Sequence, residues 1–246
     1  MLPYDRQQEI LRQLETHGHI SIHRLAQLIH VSEPTMRRDL VRMEKQGLIR
    51  RTYGGAVLPD DGEPAPLSLR KEDNAGAKRR IAAEAVKLLR KGATVYIDSA
   101  STVQNMIAFM SENQEITVIT NSLSACQLLT EKRIKTYCVG GLVDLNDDAM
   151  RGKYAEDFIR SIRIDQAFFS CSSVSSDGVL GGHNEQAISL LHTVLHNSRQ
   201  HIFLCTYNKI GRSCMHTLCS LRDIDQVICD QPLPAELAKI VGKNRT

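Results

Sequence analysis

Three stretches of this 246-residue chain end an apolar run in residues able to grip a small anion. The first is VYIDSASTVQNM, residues 95–106, where Asp98, Ser99, Ser101 and Thr102 follow three apolar positions and precede a helical pattern. A strand, a hydroxyl loop and a helix start can hold a phosphate, because backbone N–H groups and the helix dipole converge there. The amides around Ala100 to Thr102 would point at the anion, and the hydroxyls would add donors. Thr120, Asn121 and Ser122 end the next apolar run, and Gly140 and Gly141 end the one after. In an open parallel sheet such strand ends share one edge, where ligands bind. Asp98 would then reach sugar hydroxyls or fix the loop, and Lys209 could contact phosphate. One such loop alone is a cap, whereas three converging ends make a pocket.

The same residues raise the question of turnover. Moving a proton beside a sugar carbonyl needs a placed base. Glu185, after Asn184, is the candidate base and Lys209 the candidate electrophile, with no acid-rich set around either. His192 and His196 stand at i, i+4, a spacing that can bind zinc, and His183 and the Cys214-x-His216 pair lie nearby in sequence. No third ligand sits at a recognisable metal spacing, so no metal is expected. The seven cysteines are odd in number, lack a C-x-x-C pair and mostly fall in apolar runs, which fits buried thiols in a reducing cytoplasm.

These residues must be positioned by a body of alternating elements. Strands are expected at 94–98, 116–120, 135–139, 166–172, 201–205 and 226–230, with helices at 77–90, 101–112 and 185–197 among the intervening segments. Near-continuous apolar strands alternating with helices predict an α/β body, a mostly parallel sheet covered on both faces. No apolar run approaches a membrane span, and the N-terminus lacks a secretory segment.

Ahead of the body lies a smaller, basic unit. Residues 1–53 hold nine Lys/Arg against six Asp/Glu, while the remaining 193 hold 22 of each. All the excess positive charge is therefore in the first fifth of the chain, as a polyanion-binding head requires. Apolar residues keep a helical period at Ile10, Leu11 and Leu14, at Leu25, Leu28 and Ile29, and at Met36, Leu40 and Met43. Residues 48–57 read as a hairpin. Three helices and a hairpin make an N-terminal winged helix-turn-helix over 1–57. A Pro- and acid-rich linker over 58–76 follows, and the effector-sensing and oligomerisation body spans 77–246.

The third helix is the candidate reading element. Ser32 is a natural N-cap, and Pro34 suits a first turn. At about 100° per residue from inward-facing Met36, Arg38 lies near 200° and Arg42 near 240°, with Thr35 beside them and Arg37 on the edge. Arginines on an outer helix face can chelate guanine in a major groove. Arg50, Arg51 and Tyr53 of the hairpin would sit against the flanking backbone. Asp39, near the core boundary, is expected to pair with a basic neighbour.

Arg6, Ile10, Leu14, Ser32 and the run Thr35-Met36-Arg37-Arg38-Asp39-Leu40, at their spacings, resemble the N-terminal signature of the DeoR family of bacterial transcriptional regulators. GLIRRTYGGAV, residues 47–57, resembles that family's wing. RKEDNAGAKRRIAAEA (70–85), YIDSASTV (96–103), VITNSL (118–123), VGG (139–141), RG (151–152), DQAFFS (165–170) and NKIG (208–211) resemble its C-terminal effector domain. Such domains are similar in fold to ribose-5-phosphate isomerase and glucosamine-6-phosphate deaminase.

The resemblance implies a cytoplasmic DNA-binding regulator, a repressor of a carbohydrate-utilisation operon controlled by a phosphorylated sugar or related metabolite. It implies a double-stranded operator as partner, a homodimer or homotetramer, no membrane and no cofactor. Effector contacts are implied at Asp98, Ser99, Ala100, Ser101, Thr102, Asn121, Ser122, Gly140, Gly141, Gly152 and Lys209. The chain departs from the family at Ala100, where a glycine is usual, at Val103 for a threonine, at Thr206 for an aspartate and at His192 for a lysine. Alanine cannot take positive φ cheaply, so a differently shaped loop is expected. Two other functions fit parts of the pattern: a sugar-phosphate isomerase with a vestigial head, or an adaptor using the head on a protein partner.

Overall fold

The computed structural model describes residues 2–17, 19–52, 54–58, 67–145 and 147–243. They divide into two units, residues 1–66 and 67–246.

In the first unit, helices α1 (Pro3–His17), α2 (Ile22–Leu28) and α3 (Glu33–Lys45) bury Ile10, Leu14, Leu25, Met36, Leu40 and Met43 completely. Strand β1 (His19–Ser21) lies between α1 and α2, and β2 (Arg50–Thr52) and β3 (Gly55–Val57) form the expected hairpin. β1 pairs antiparallel with β3, making a three-stranded sheet of order β1-β3-β2. At three residues, β1 is too short for an alternating pattern to reveal it. Ser21 caps α2 and Ser32 caps α3, each accepting from the amide three residues on. Asp39 is buried and takes a forked contact from Arg6, at 2.5 and 3.2 Å, which ties α1 to α3.

The second unit opens with α4 (Leu67–Glu72) and α5 (Ala75–Val86), separated by Asn74 in the left-handed region at φ 52°. The linker expected over 58–76 therefore gives way to the body by residue 67, because Leu67 is buried and starts a helix. Residues 59–66 lie outside the described set. The main sheet comprises β4 (Thr94–Ile97), β5 (Thr117–Thr120), β6 (Lys135–Cys138), β9 (Ile164–Phe169), β12 (Ser198–Cys205) and β14 (Gln226–Cys229). Between these strands lie α6 (Ser101–Gln104), α7 (Leu123–Glu131), β7 (Leu142–Asp144), β8 (Ala149–Arg151), α8 (Lys153–Arg160), β10 (Ser173–Val174), β11 (Val179–Gly182), α9 (Glu185–His196) and β13 (His216–Ser220). α10 (Ala235–Ala238) closes the described chain.

All five pairings in the main sheet are parallel, in the order β14-β12-β9-β4-β5-β6. The order reverses direction between β4 and β9, the switch point where an open α/β sheet forms a ligand crevice. Strand residues alternate between two cores. Val95, Ile97, Val118, Phe168, Ile202 and Leu204 pack with α5 and α6 on one face. Tyr96, Ile119, Ala167, Phe169, Phe203 and Cys205 pack with α8 and α9 on the other. Burial on both faces explains the near-continuous apolar runs.

Two expectations fail locally. The helix expected over 101–112 is α only from Ser101 to Gln104, and continues as 3-10 turns at 105–109 and 112–114. The Asn105 side chain donates to the Ser101 carbonyl at 2.7 Å and competes for a helical acceptor. Of the seven cysteines, all free, only Cys171 and Cys205 are buried; Cys138 is exposed because its strand β6 lies at the sheet edge.

Candidate functional site

The α3 helix presents its cations unequally. Arg37, Arg38 and Arg42 are all exposed. Arg37 approaches Glu33 at 3.4 Å, one turn back, and Glu33 also meets His23 at 2.9 Å. In the hairpin, Arg51 is held by Glu44 at 2.6 Å, and Glu44 also accepts the Arg51 amide. Arg38 and Arg42 have no ionic or hydrogen-bonding partner among the described residues. Both therefore leave positive charge uncompensated on the outer surface of α3. Thr35 is half-exposed, and its hydroxyl stands 2.9 Å from that of Ser32, so both are tied into the cap. Tyr53 lies outside the described residues, as does the side chain of Arg50.

In the body, Asp98 directly follows β4 at the switch point. Its amide donates to Phe168 O of β9, while its carboxylate accepts the amides of Ser99 at 2.7 Å and Ser170 at 3.3 Å. Asp98 thus clamps the carboxyl ends of the two strands that flank the crevice. Burial raises its pKa, against the pull of those amides, the Arg151 charge and the Ala100 amide. Ser99, Ser101 and Thr102 are buried immediately beyond it, and the Thr102 hydroxyl has no hydrogen-bond partner among the described residues. Ala100 adopts φ −63° and ψ 137°. That extended backbone suits any residue, so alanine imposes no strain where a glycine was expected to matter.

The helix dipole contributes less than the sequence suggested. α6 is four residues long, so few peptide dipoles align behind the loop. The positive charge comes instead from side chains on other elements. The Lys209 ammonium donates to Ser170 Oγ at 3.0 Å and Cys171 O at 2.7 Å. Burial lowers its pKa, Arg70 adding to the shift and Asp98 among the groups opposing it. Lys78 of α5 is buried and donates to the Arg70 carbonyl. Burial lowers it to about 8; Asp73 opposes the shift, and the positive charges of Lys209 and Arg70 reinforce it. Two desolvated ammonium groups that repel one another make a site whose charge favours an anion.

Asn121 and Ser122 hold the floor of this region. The Asn121 side-chain oxygen Oδ1 accepts from Tyr96 OH at 3.0 Å. Ser122 Oγ caps α7 through the Ala125 amide and accepts from Gln104, which also donates to Ser99 O. Their side-chain polar atoms are engaged within the protein, so they shape the crevice. Gly140 is exposed after β6, and a Cβ on Gly141, at φ 140°, would strike the Arg151 carbonyl. Gly152, at φ 89°, turns β8 into α8. Arg151 is buried and ion-paired with Asp144 and Asp147, and Asp147 also meets Arg70.

Sequence reasoning did not assign Lys78, Arg70 or Arg151 to the site. The first two sit within RKEDNAGAKRR and the third within RG, so the resemblance marked both stretches without separating their cations. Glu185, the candidate base, lines a separate open groove of about 540 Å³ with Arg160, His192 and His216, which shares no residue with the Asp98 loop. His192 Nε2 lies 3.2 Å from Thr217 O. Among the described residues, no three His, Cys, Asp or Glu side chains stand close enough to hold a metal ion. Among them, too, no helix is long and apolar enough to cross a membrane.

Two family models match the chain: a DeoR-like helix-turn-helix domain over residues 6–61 and a DeoR C-terminal sensor domain over 73–231. The glycerol-3-phosphate regulon repressor of Escherichia coli K12 is 27% identical over 96% of this chain and 94% of its own length. An L-fucose operon activator of Haemophilus influenzae is 31% identical over 95% of this chain and 94% of its own length. Among solved structures, ribose-5-phosphate isomerase A of Methanocaldococcus jannaschii overlays 56% of this chain and 55% of its own. Its TM-score is 0.42 and its identity 19%, too slight a likeness to bear on chemistry.

Proposed function

The chain belongs to the DeoR family of transcriptional regulators, and from that premise we propose that it represses a carbohydrate-utilisation operon under control of a phosphorylated sugar. The observation that carries the effector reading is that Ser170 links the buried Lys209 ammonium to Asp98, from which the buried hydroxyls of Ser99, Ser101 and Thr102 follow at the sheet's switch point, with Lys78 a second buried cation in the electrostatic reach of Lys209. A phosphate takes the ammonium groups and hydroxyls, and Asp98 holds the loop. The relatives named for a glycerol-3-phosphate regulon and an L-fucose operon support this chemical class, and both a repressor and an activator occur among them. The head binds double-stranded DNA through α3, Arg38 and Arg42 reaching into the groove while Arg51 and the wing follow the backbone. Such a protein works in the cytoplasm as a dimer or tetramer, because one head buries too little surface for tight binding.

Two measurements test this. A thermal-shift screen with phosphorylated sugars should raise the melting temperature in proportion to ln[ligand], and Ser101→Asp should remove the effect by placing a carboxylate against the anion. A flat response to every phosphorylated sugar ends the effector reading. Arg38→Ala and Arg42→Ala should each weaken operator binding by about 1–3 kcal/mol where they read a base, or lower the salt slope where they touch phosphate. Unchanged affinity and slope would reassign the reading face.

A further inference from the structure

The body exposes apolar surface very unevenly. Ten large apolar side chains of the second unit are exposed among the described residues, and seven of them fall between residues 123 and 154. Tyr137, on β6, is 48% exposed; Leu142 and Leu145, in and after β7, are 71% and 90% exposed. Val143 joins them from β7, Leu123 and Leu128 from α7, and Tyr154 from the start of α8. Spread over the edge strand, the β7 hairpin and the two helices that pack on opposite faces of the sheet, these seven residues together expose on the order of 800 Å², about what one partner contributes to a standard-size protein interface.

The surface is also a strand edge. β6 is the last strand of the main sheet, paired on one side only, with β5. Val139, just beyond it, donates its amide to Thr120 of β5, so the alternate backbone groups at Thr136 and Cys138 face outward. Folded proteins usually cover, shorten or charge such an edge. Here the four residues are mostly exposed and carry a single charge, Lys135, whose ammonium lies over the Tyr137 ring.

We propose that this face is a two-fold interface between copies of the chain, with β6 of one copy pairing antiparallel to β6 of the other. A second copy suits the edge better than an unrelated partner for two reasons. Antiparallel pairing about a two-fold satisfies both rows of outward backbone groups at once. The exposed apolar area matches one half of a stable dimer. The inference is independent of the anion site, and its readout needs neither DNA nor effector.

Sedimentation of the full chain tests it. The unmutated protein should be at least dimeric at micromolar concentration. Leu142→Asp and Leu145→Asp should each raise the dimer dissociation constant by about tenfold or more, with far-UV circular dichroism and melting cooperativity unchanged. Met215→Asp, at an equally exposed apolar position outside the patch, should leave the mass as it was. Hydrogen exchange on the unmutated chain gives a reading free of mutation: the amides of β6 should become protected as concentration rises through the dissociation constant. A monomeric wild type, a dimer broken by Met215→Asp but not by the patch variants, or β6 amides whose exchange ignores concentration would each overturn the interface.

Discussion

Lys78 is costly where it stands. It is a buried cation set near two others, and its pKa falls from the usual lysine range to about 8. Between that value and about 10.5 the unfolded chain binds the proton and the folded chain does not, so stability rises with pH across that window. Below about 8 the ammonium is charged in both states and the burial penalty is fully felt. An anion bound beside Lys78 reverses the preference by favouring the charged form. Affinity for a phosphorylated effector should therefore hold below pH 8 and decline above it by up to tenfold per unit, as titration calorimetry across pH 7–10 would record. Lys78→Met should remove that decline along with most of the affinity. An affinity flat through pH 9 would place the phosphate elsewhere.

At the scale of elements, the α1–α3 contact and the β4–β9 clamp follow the same design, a buried carboxylate joining two segments distant in sequence. Arg6 and Asp39 are 13% and 7% exposed at the side chain, so removing the carboxylate takes a forked, charge-assisted contact away from a largely buried guanidinium. Asp39→Ala should destabilise the head by about 3 kcal/mol or more in a denaturant melt. It should also loosen α3, on which Arg38 and Arg42 depend for their aim. The Asp39→Ala, Arg6→Leu double variant should recover part of the loss, since the guanidinium that lost its carboxylate is then replaced by an apolar side chain. Elements differ in how well the sequence foretold them. All six strands of the main sheet lie where apolar runs bounded by polar residues indicated. β1, β10 and the β7–β8 hairpin did not show, because strands of two or three residues leave no period to detect, and β11 (VLGG) and β13 (HTLCS) did not show because glycine or polar residues break their apolar runs. The helix over 101–112 was overextended because an asparagine side chain diverts one carbonyl, a local competition that a hydrophobic period does not register.

Over the whole molecule, the two units have separate cores and separate chemistries: exposed guanidinium groups on one, buried hydroxyls and ammonium groups on the other. Changes confined to one should leave the other's local binding intact. The Arg38→Ala, Arg42→Ala double variant should lose operator affinity yet keep the full thermal shift with the effector. Loss of both would mean that α3 also supports the sensor. Regulation requires more than the coexistence of two sites. The effector can move the DNA-binding equilibrium only by as much as its affinity differs between states, so operator binding with and without effector, at fixed salt, measures the coupling directly.

The sequence by itself determined the two-unit plan, the winged head, the parallel body and the family, because these depend on periodicity and on motifs contiguous in the chain. It also marked the Asp98–Thr102 loop, since a hydroxyl run at the end of an apolar strand is visible locally. Only the tertiary structure decided which groups share that crevice. Lys78, Lys209 and Asp98 are up to 131 positions apart and come together only because the strand order reverses between β4 and β9. It likewise sorted free from paired arginines on α3, and showed Ala100 to be unstrained, since φ at one residue depends on the packing around it and not on its name.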